Sequence, residues 1–129
     1  ESIYWLSHLI IDKGLKPEND FYYLSQWAAY GLQKDHSITF NLSCTRLLHY
    51  LQKENLAFIK AKTQILISPG YRINSIRALV TNFHQPGSTL LVLVSTLIGE
   101  NWKEVYNHAQ EKDYRFLSYG DSSILFKKV

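Results

Sequence analysis

The sequence predicts an α/β fold, and three observations carry the prediction. Short apolar, β-branched runs alternate with segments of helical periodicity. Pro and Gly punctuate the boundaries, as at Pro69-Gly70 and Pro86-Gly87. One stretch, Ala78 to Ile98, joins a strand to a helix through a short polar loop.

That stretch organises the chain. Ile76 to Thr81 is apolar and β-branched, the pattern of a buried strand. Asn82-Phe83-His84-Gln85-Pro86-Gly87 is a polar turn. Ser88 or Thr89 then caps a helix running through Leu90, Leu91, Val92, Leu93, Val94, Leu97 and Ile98. Such a loop presents side chains at the carboxyl end of a sheet, where α/β folds bind ligands. Asn82, His84, Gln85 and Ser88 fall within seven residues, so candidate chemistry is sought there.

In order, Glu1 to Ile11 reads as the tail of an amphipathic helix with Ile3, Leu6, Leu9 and Ile10 on one face, stopped by Asp12-Lys13-Gly14. Leu15 to Asp20 is a loop. Phe21 to Leu24 and Gln26 to Tyr30 are aromatic-rich, strand or irregular. Gly31 to Phe40 is a polar connection. Asn41 or Ser43 caps a helix with Cys44, Leu47, Leu48 and Leu51 on one face, ending near Asn55. Lys62 to Ser68 is a strand closed by Pro69-Gly70. Gly99 caps the second long helix, and Trp102 to Lys112 is the next, with Trp102, Val105, Tyr106 and Ala109 inward. Phe116 to Tyr119 and Ser123 to Phe126 are short strands about a Gly120-Asp121 turn.

Composition narrows the function. At 129 residues the chain is one domain's worth, and 46% hydrophobic residues suffice for a core. The chain starts at Glu1 without Met, inside a helix, so it is expected to be a piece of a longer protein. A net charge of +3 permits an anionic partner. The single Cys44 excludes an internal disulfide and fits a reducing cytoplasm. The apolar run Leu90 to Ile98 is too short to span a membrane. No His or Cys pair has zinc-ligand spacing, so no metal is expected, and phosphate-loop and serine-elbow patterns are absent.

Of the histidines, His84 is the candidate acid or base. His49 and His108 read as solvated, and His8 and His36 carry no spacing signal. Asn82 either braces the turn or orients a ligand. Strand alternation would send Arg115, Leu117 and Tyr119 to one face, and Tyr114, Phe116 and Ser118 to the other. Arg115 with Tyr119 suits a phosphate or a stacked base; equally, Arg115 pairs with Asp121 or Glu104. Lys60, Lys62, Arg72 and Arg77 form either a basic edge or a solvated, aggregation-resistant one.

Three segments carry a resemblance. Leu79-Val80-Thr81-Asn82-Phe83-His84-Gln85-Pro86 followed by Ser88-Thr89-Leu90-Leu91 resembles the TNFHLP-x-STL signature of the S-adenosylmethionine:tRNA ribosyltransferase-isomerase family of the queuosine pathway. Tyr114 to Asp121 resembles its YRFFSYGDAM, and Ile67 to Tyr71 its FI-x-PG-[FY]. Glu1-Ser2 is similar to the end of its GTT-x-x-R-T-x-ES segment. The likeness is dense from Lys62 to Leu125 and thin from Gly14 to Ala61. Gln85 departs from the family's Leu, Leu117 from its second Phe, and Ser122-Ser123 from its Ala-Met.

The resemblance implies an enzyme that moves the ribosyl moiety of S-adenosylmethionine to 7-aminomethyl-7-deazaguanine at the tRNA wobble position. Epoxyqueuosine forms, and adenine and methionine leave. S-adenosylmethionine is then a substrate, and the other partner is a tRNA anticodon loop. His84 and Asp121 are the catalytic candidates; Asn82, Gln85, Ser88, Arg115 and Tyr119 are the substrate-binding ones. Residues 1–129 would be the carboxy-terminal part of the large α/β domain of a two-domain enzyme whose inserted β-barrel lies elsewhere. The implied setting is cytoplasmic with no membrane partner; a monomer is favoured. The piece by itself should fold without catalysing, since the segment before Glu1 and the barrel would supply other walls of the site. The rival reading is a non-catalytic, basic α/β RNA-binding module.

Overall fold

The computed structural model describes residues 1–33 and 38–128, so the reading of His36 lies outside the described residues. Helices and strands are mixed in an α/β arrangement, in the order α1 (Ser2–Asp12), β1 (Phe21–Leu24), α2 (Ala28–Leu32), α3 (Phe40–Lys53), β2 (Lys60–Thr63), β3 (Ala78–Asn82), α4 (Thr89–Ile98), α5 (Asn101–Glu111) and β4 (Ser122–Phe126). The chain divides into two compact units, residues 1–66 and 67–129.

In the first unit α1 packs on α3 and β1. Its buried side is Tyr4, Trp5, Leu6, Ser7, His8 and Ile10, whereas Ile3 is exposed. The apolar stripe expected from Ile3 is therefore rotated toward the aromatic pair. Two small residues explain the close approach of the helices: Ser7 and Ser43 are fully buried, and Ser7 Oγ donates to the Ser43 carbonyl at 2.9 Å. The helix stops at Gly14, whose φ of +67° lets Leu15 N–H return to the Leu9 carbonyl.

Thr39, not Asn41 or Ser43, caps α3. Its backbone is extended, and its hydroxyl accepts from Leu42 N–H at 3.2 Å. Cys44, Leu47 and Leu51 are half-buried as expected, but Leu48 is exposed. Gln26 to Tyr30 forms no strand; it runs into the short α2, of which only Ala29 is buried. β1 and β2 pair in parallel, Phe21 opposite Lys60 and Leu24 opposite Thr63, with α2 and α3 in the connection between them. The strand expected over Lys62 to Ser68 thus begins earlier and ends at Thr63. Beyond it, Gln64 and Leu66 N–H still donate to the Leu24 and Gln26 carbonyls, so the run continues as irregular extended chain.

Residue His8 is buried and shares Asp12 with Arg46: His8 Nδ1 lies 2.7 Å from Asp12 Oδ2, and Arg46 grips both carboxylate oxygens. Contrary to the expectation that His8 carries no spacing signal, it stands one helical turn before Asp12, the i, i+4 spacing at which the two side chains meet. The Arg46 hydrogen bond, aided by His8, lowers the Asp12 pKa to about 2. A depressed carboxyl pKa stabilises the fold above its unfolded value and loses that stability as pH falls toward the folded one. We expect about 1 kcal/mol, after discounting for solvent screening, to disappear between roughly pH 4 and pH 2. Urea unfolding of the wild type and of Asp12→Asn should differ by that amount at pH 7 and converge near pH 2. A constant difference across this window would contradict the assignment.

In the second unit β3 and β4 form an antiparallel pair, Ala78 opposite Phe126 and Asn82 opposite Ser122. Helix α4 packs against β4 and α5, burying Leu91, Val94, Leu97 and Ile98 with Leu125, Tyr106 and Ala109. Only one face of the ribbon is covered. Val80, Ile124 and Phe126 are exposed, so β3 is not the fully buried strand its composition suggested. Val105 and Trp102 turn half inward on α5 as expected, and Gly99 caps α4 at a φ of +62°.

Phe116 to Tyr119 forms no strand. The segment folds back on itself: Asp121 N–H donates to the Arg115 carbonyl and Gly120 N–H to the Leu117 carbonyl, both at 2.8 Å. Leu117 takes a φ of +72°, which no strand accommodates. The predicted two-faced alternation of Arg115, Leu117 and Tyr119 is absent for that reason.

Candidate functional site

The loop after β3 is anchored by the one apolar residue in its polar run. Phe83 is buried, with its ring 5.4 Å from Tyr106, 5.7 Å from Tyr114 and 5.5 Å from Phe116. Its carbonyl accepts from Leu117 N–H at 2.8 Å, joining the two motif-bearing loops. Tyr106 O–H lies 3.1 Å from His84 N–H, and the hydroxyl oxygen accepts. On either side of Phe83, Asn82 and His84 are half-buried and line one cavity.

A cavity of about 580 Å³ lies there, lined by Thr81, Asn82, His84, Gln85, Ser88 and Ser118, with Val80, Leu90 and Leu117 as its apolar part. That volume falls within the roughly 300–1,000 Å³ of small-molecule pockets. The loop does follow the carboxyl end of β3. The neighbouring strand is antiparallel, however, so the opposite rim comes from the turn entering β4 and not from a second parallel strand.

His84 is half-buried, with Nε2 2.8 Å from Thr81 Oγ1. Among the described residues its Nδ1 has no hydrogen-bond partner. The threonine fixes the ring orientation: with its hydroxyl accepting from Nε2–H, Nδ1 is free to take a proton, and the imidazolium so formed can return that proton from Nδ1 while Nε2–H keeps its bond to the threonine.

Asn82 is a brace. Its Nδ2 donates to the carbonyls of Leu117 at 3.0 Å, Ser118 at 3.3 Å and Gly120 at 3.4 Å, and its Oδ1 accepts from Ser122 Oγ at 3.3 Å. Of the two readings open for this amide, the structural one is occupied. Ser88 Oγ caps α4 by accepting from Leu90 N–H at 3.1 Å. Gln85 is exposed at the cavity edge.

Arg115, Tyr119 and Asp121 are not among the cavity-lining residues. Arg115 pairs with Asp121 and not with Glu104: Asp121 Oδ2 accepts from Arg115 N–H at 2.7 Å, and Oδ1 from Nη2 at 3.2 Å. The backbone hydrogen bond, followed by the guanidinium, holds the Asp121 carboxyl below its usual range. Tyr119 is 97% exposed and projects from the turn. The four basic residues considered for one edge are divided: Lys60 and Lys62 lie on β2 in the first unit, Arg72 and Arg77 ahead of β3 in the second.

Sequence reasoning missed Thr81, Phe83 and Tyr106. Thr81 stands three residues before His84, and Phe83 interrupts a polar loop; either spacing could have raised them. Tyr106 is distant in sequence and had no local signal beyond its inward helical phase. Among the described residues no group of three or more His, Cys, Asp and Glu could hold a metal ion, and no helix is long and apolar enough to cross a membrane.

The chain is similar to the S-adenosylmethionine:tRNA ribosyltransferase-isomerase of Stenotrophomonas maltophilia, 56% identical over 69 residues, covering 53% of this chain and 20% of that protein. It is 46% identical over 86 residues to the enzyme of that name from Rhodopseudomonas palustris, covering 64% of this chain and 24% of the other. The chain thus spans about a fifth of the length of such relatives. A crystal structure of an S-adenosylmethionine tRNA ribosyltransferase from Thermotoga maritima matches at a TM-score of 0.48 and 35% identity, over 63% of this chain and 30% of that one. The family model described as Queuosine biosynthesis protein matches residues 31–125, both cavity-forming loops included, and the chain belongs to that family.

Proposed function

We propose that residues 1–129 form the carboxy-terminal part of the large α/β domain of a cytoplasmic tRNA-modifying transferase. In that enzyme the ribosyl moiety of S-adenosylmethionine passes to 7-aminomethyl-7-deazaguanine at the tRNA wobble position, giving epoxyqueuosine and releasing adenine and methionine. The observation that carries the reading is the cavity at the family's signature loop, with His84 pinned by Thr81 and one ring nitrogen left for proton transfer. Such a reaction takes a proton from beside a sulfonium and supports a departing adenine, and His84 is the titratable side chain lining this cavity.

The remaining residues divide by what they touch. Gln85 and Ser88 offer polar atoms at the cavity wall, although the Ser88 oxygen also caps α4. Asn82 and Asp121 are positioning residues, because both hold the Tyr114–Asp121 turn in place. Arg115 and Tyr119, exposed on that turn, suit the tRNA side, where a guanidinium meets phosphate and a free ring stacks on a base.

The deciding experiment supplies ribose-labelled S-adenosylmethionine and precursor-bearing tRNA to a full-length family member that carries this segment. Label transferred to tRNA, with adenine released in equal amount, is the expected result. Retention of tRNA without transfer would instead favour a non-catalytic RNA-binding module.

A further inference from the structure

The β1–β2 ribbon of the first unit displays a surface that the cavity does not use. Its register sets Phe21 opposite Lys60 and Tyr23 opposite Lys62. Alternate residues of a strand share a face, about 6.6 Å apart, so two rings and two lysines interleave on one side. The other side carries Tyr22 and Leu24, exposed by only 5% and 1%, which fixes the orientation of the ribbon. Tyr23, on the lysine side, is 42% exposed.

The lysines lie against the rings. Lys62 Nζ is 4.5 Å from the Phe21 ring centre and 5.6 Å from that of Tyr23, and Lys60 Nζ is 5.9 Å from Phe21. Among the described residues neither ammonium pairs with a carboxylate. Glu18 and Asp20, the acids nearest in sequence, precede β1 and pair with neither lysine. Cations without a carboxylate partner beside the exposed Tyr23 ring combine the two elements that hold single-stranded nucleic acid: charge for the backbone and a flat surface for a base.

We propose that this face binds a single-stranded segment of RNA, with a base stacking on Tyr23 and phosphates meeting Lys60 and Lys62. The proposal rests on the reading above in taking that RNA to be tRNA.

Fluorescence anisotropy of the 129-residue chain with a labelled anticodon stem-loop RNA and a labelled oligouridine, titrated over salt, tests it. Tyr23→Ala should weaken binding about tenfold, and Tyr23→Phe, which keeps the ring, should bind like the wild type. Lys62→Ala should weaken it and reduce the salt slope by about 0.7. Circular dichroism confirms folding of each variant, and Lys62→Ala keeps the paired backbone, so its result does not depend on the ribbon's hydrogen bonds. No binding by the wild type at low salt, or alanine variants that bind like it with an unchanged slope, would overturn the proposal. Failure of the catalytic reading looks different: tRNA would still bind through this face, but no ribosyl group would move.

Discussion

His84→Ala, in a full-length family member carrying this segment, is expected to lower ribosyl transfer by about two orders of magnitude or more. Positioned general acid–base groups contribute roughly 10²–10⁴-fold. The fold should survive. The imidazole is half-buried in a loop, and the contacts that anchor the loop belong to its neighbours: the Phe83 ring cluster and the Leu117 N–H bond to the Phe83 carbonyl. Even the hydrogen bond from His84 to Tyr106 uses the backbone N–H, which alanine retains. Thr81→Val gives the matching control. It removes the hydroxyl 2.8 Å from Nε2 without touching the imidazole, so it should lower transfer by less than the loss of the ring. Single-turnover transfer at saturating S-adenosylmethionine reads the chemical step. Unchanged turnover in His84→Ala would assign proton transfer to another group.

Much of this site was legible because its signals are local. Ser88 as cap, Gly99 as stop and Pro86-Gly87 as breakers are short-range chemistry, and each sits where the sequence put it. The Asn82–Ser88 loop was found because polar residues cluster between two apolar elements. Legibility failed where long-range geometry decided. Phe116 to Tyr119 reads as a strand by composition, yet Asn82, over thirty residues earlier, holds the Leu117, Ser118 and Gly120 carbonyls and curls the segment into a turn. Val80 reads as core, yet only one face of the two-stranded ribbon is covered. Thr39 outranked Asn41 and Ser43 as a cap because Ser43 is needed small and buried against α1. Propensity does not encode which neighbour arrives from elsewhere in the chain.

Of the glycines in the second unit, Gly120 alone has no room for a Cβ, and Gly120→Ala is expected to destabilise the unit by about 2–3 kcal/mol. A Cβ at this position would lie 2.7 Å from the Phe116 carbonyl carbon and closer still to the Arg115 carbonyl oxygen. Both are backbone atoms, so no side chain can swing aside. The Arg115 carbonyl also accepts from Asp121 N–H, and Asp121 in turn binds Arg115 N–H and its guanidinium. Relieving the clash therefore opens the turn that Asn82 grips and that forms the Leu117–Ser118 rim of the cavity. For a unit of this size the melting temperature should fall by on the order of 10 °C. Gly31→Ala supplies the contrast. Gly31 is helical, has no atom within 4 Å of an added Cβ and needs no positive φ, so the substitution should be neutral or slightly stabilising. Thermal unfolding followed by near-ultraviolet circular dichroism compares the two. A Gly120→Ala variant as stable as Gly31→Ala would show that the turn yields without cost and that its closure does not shape the site.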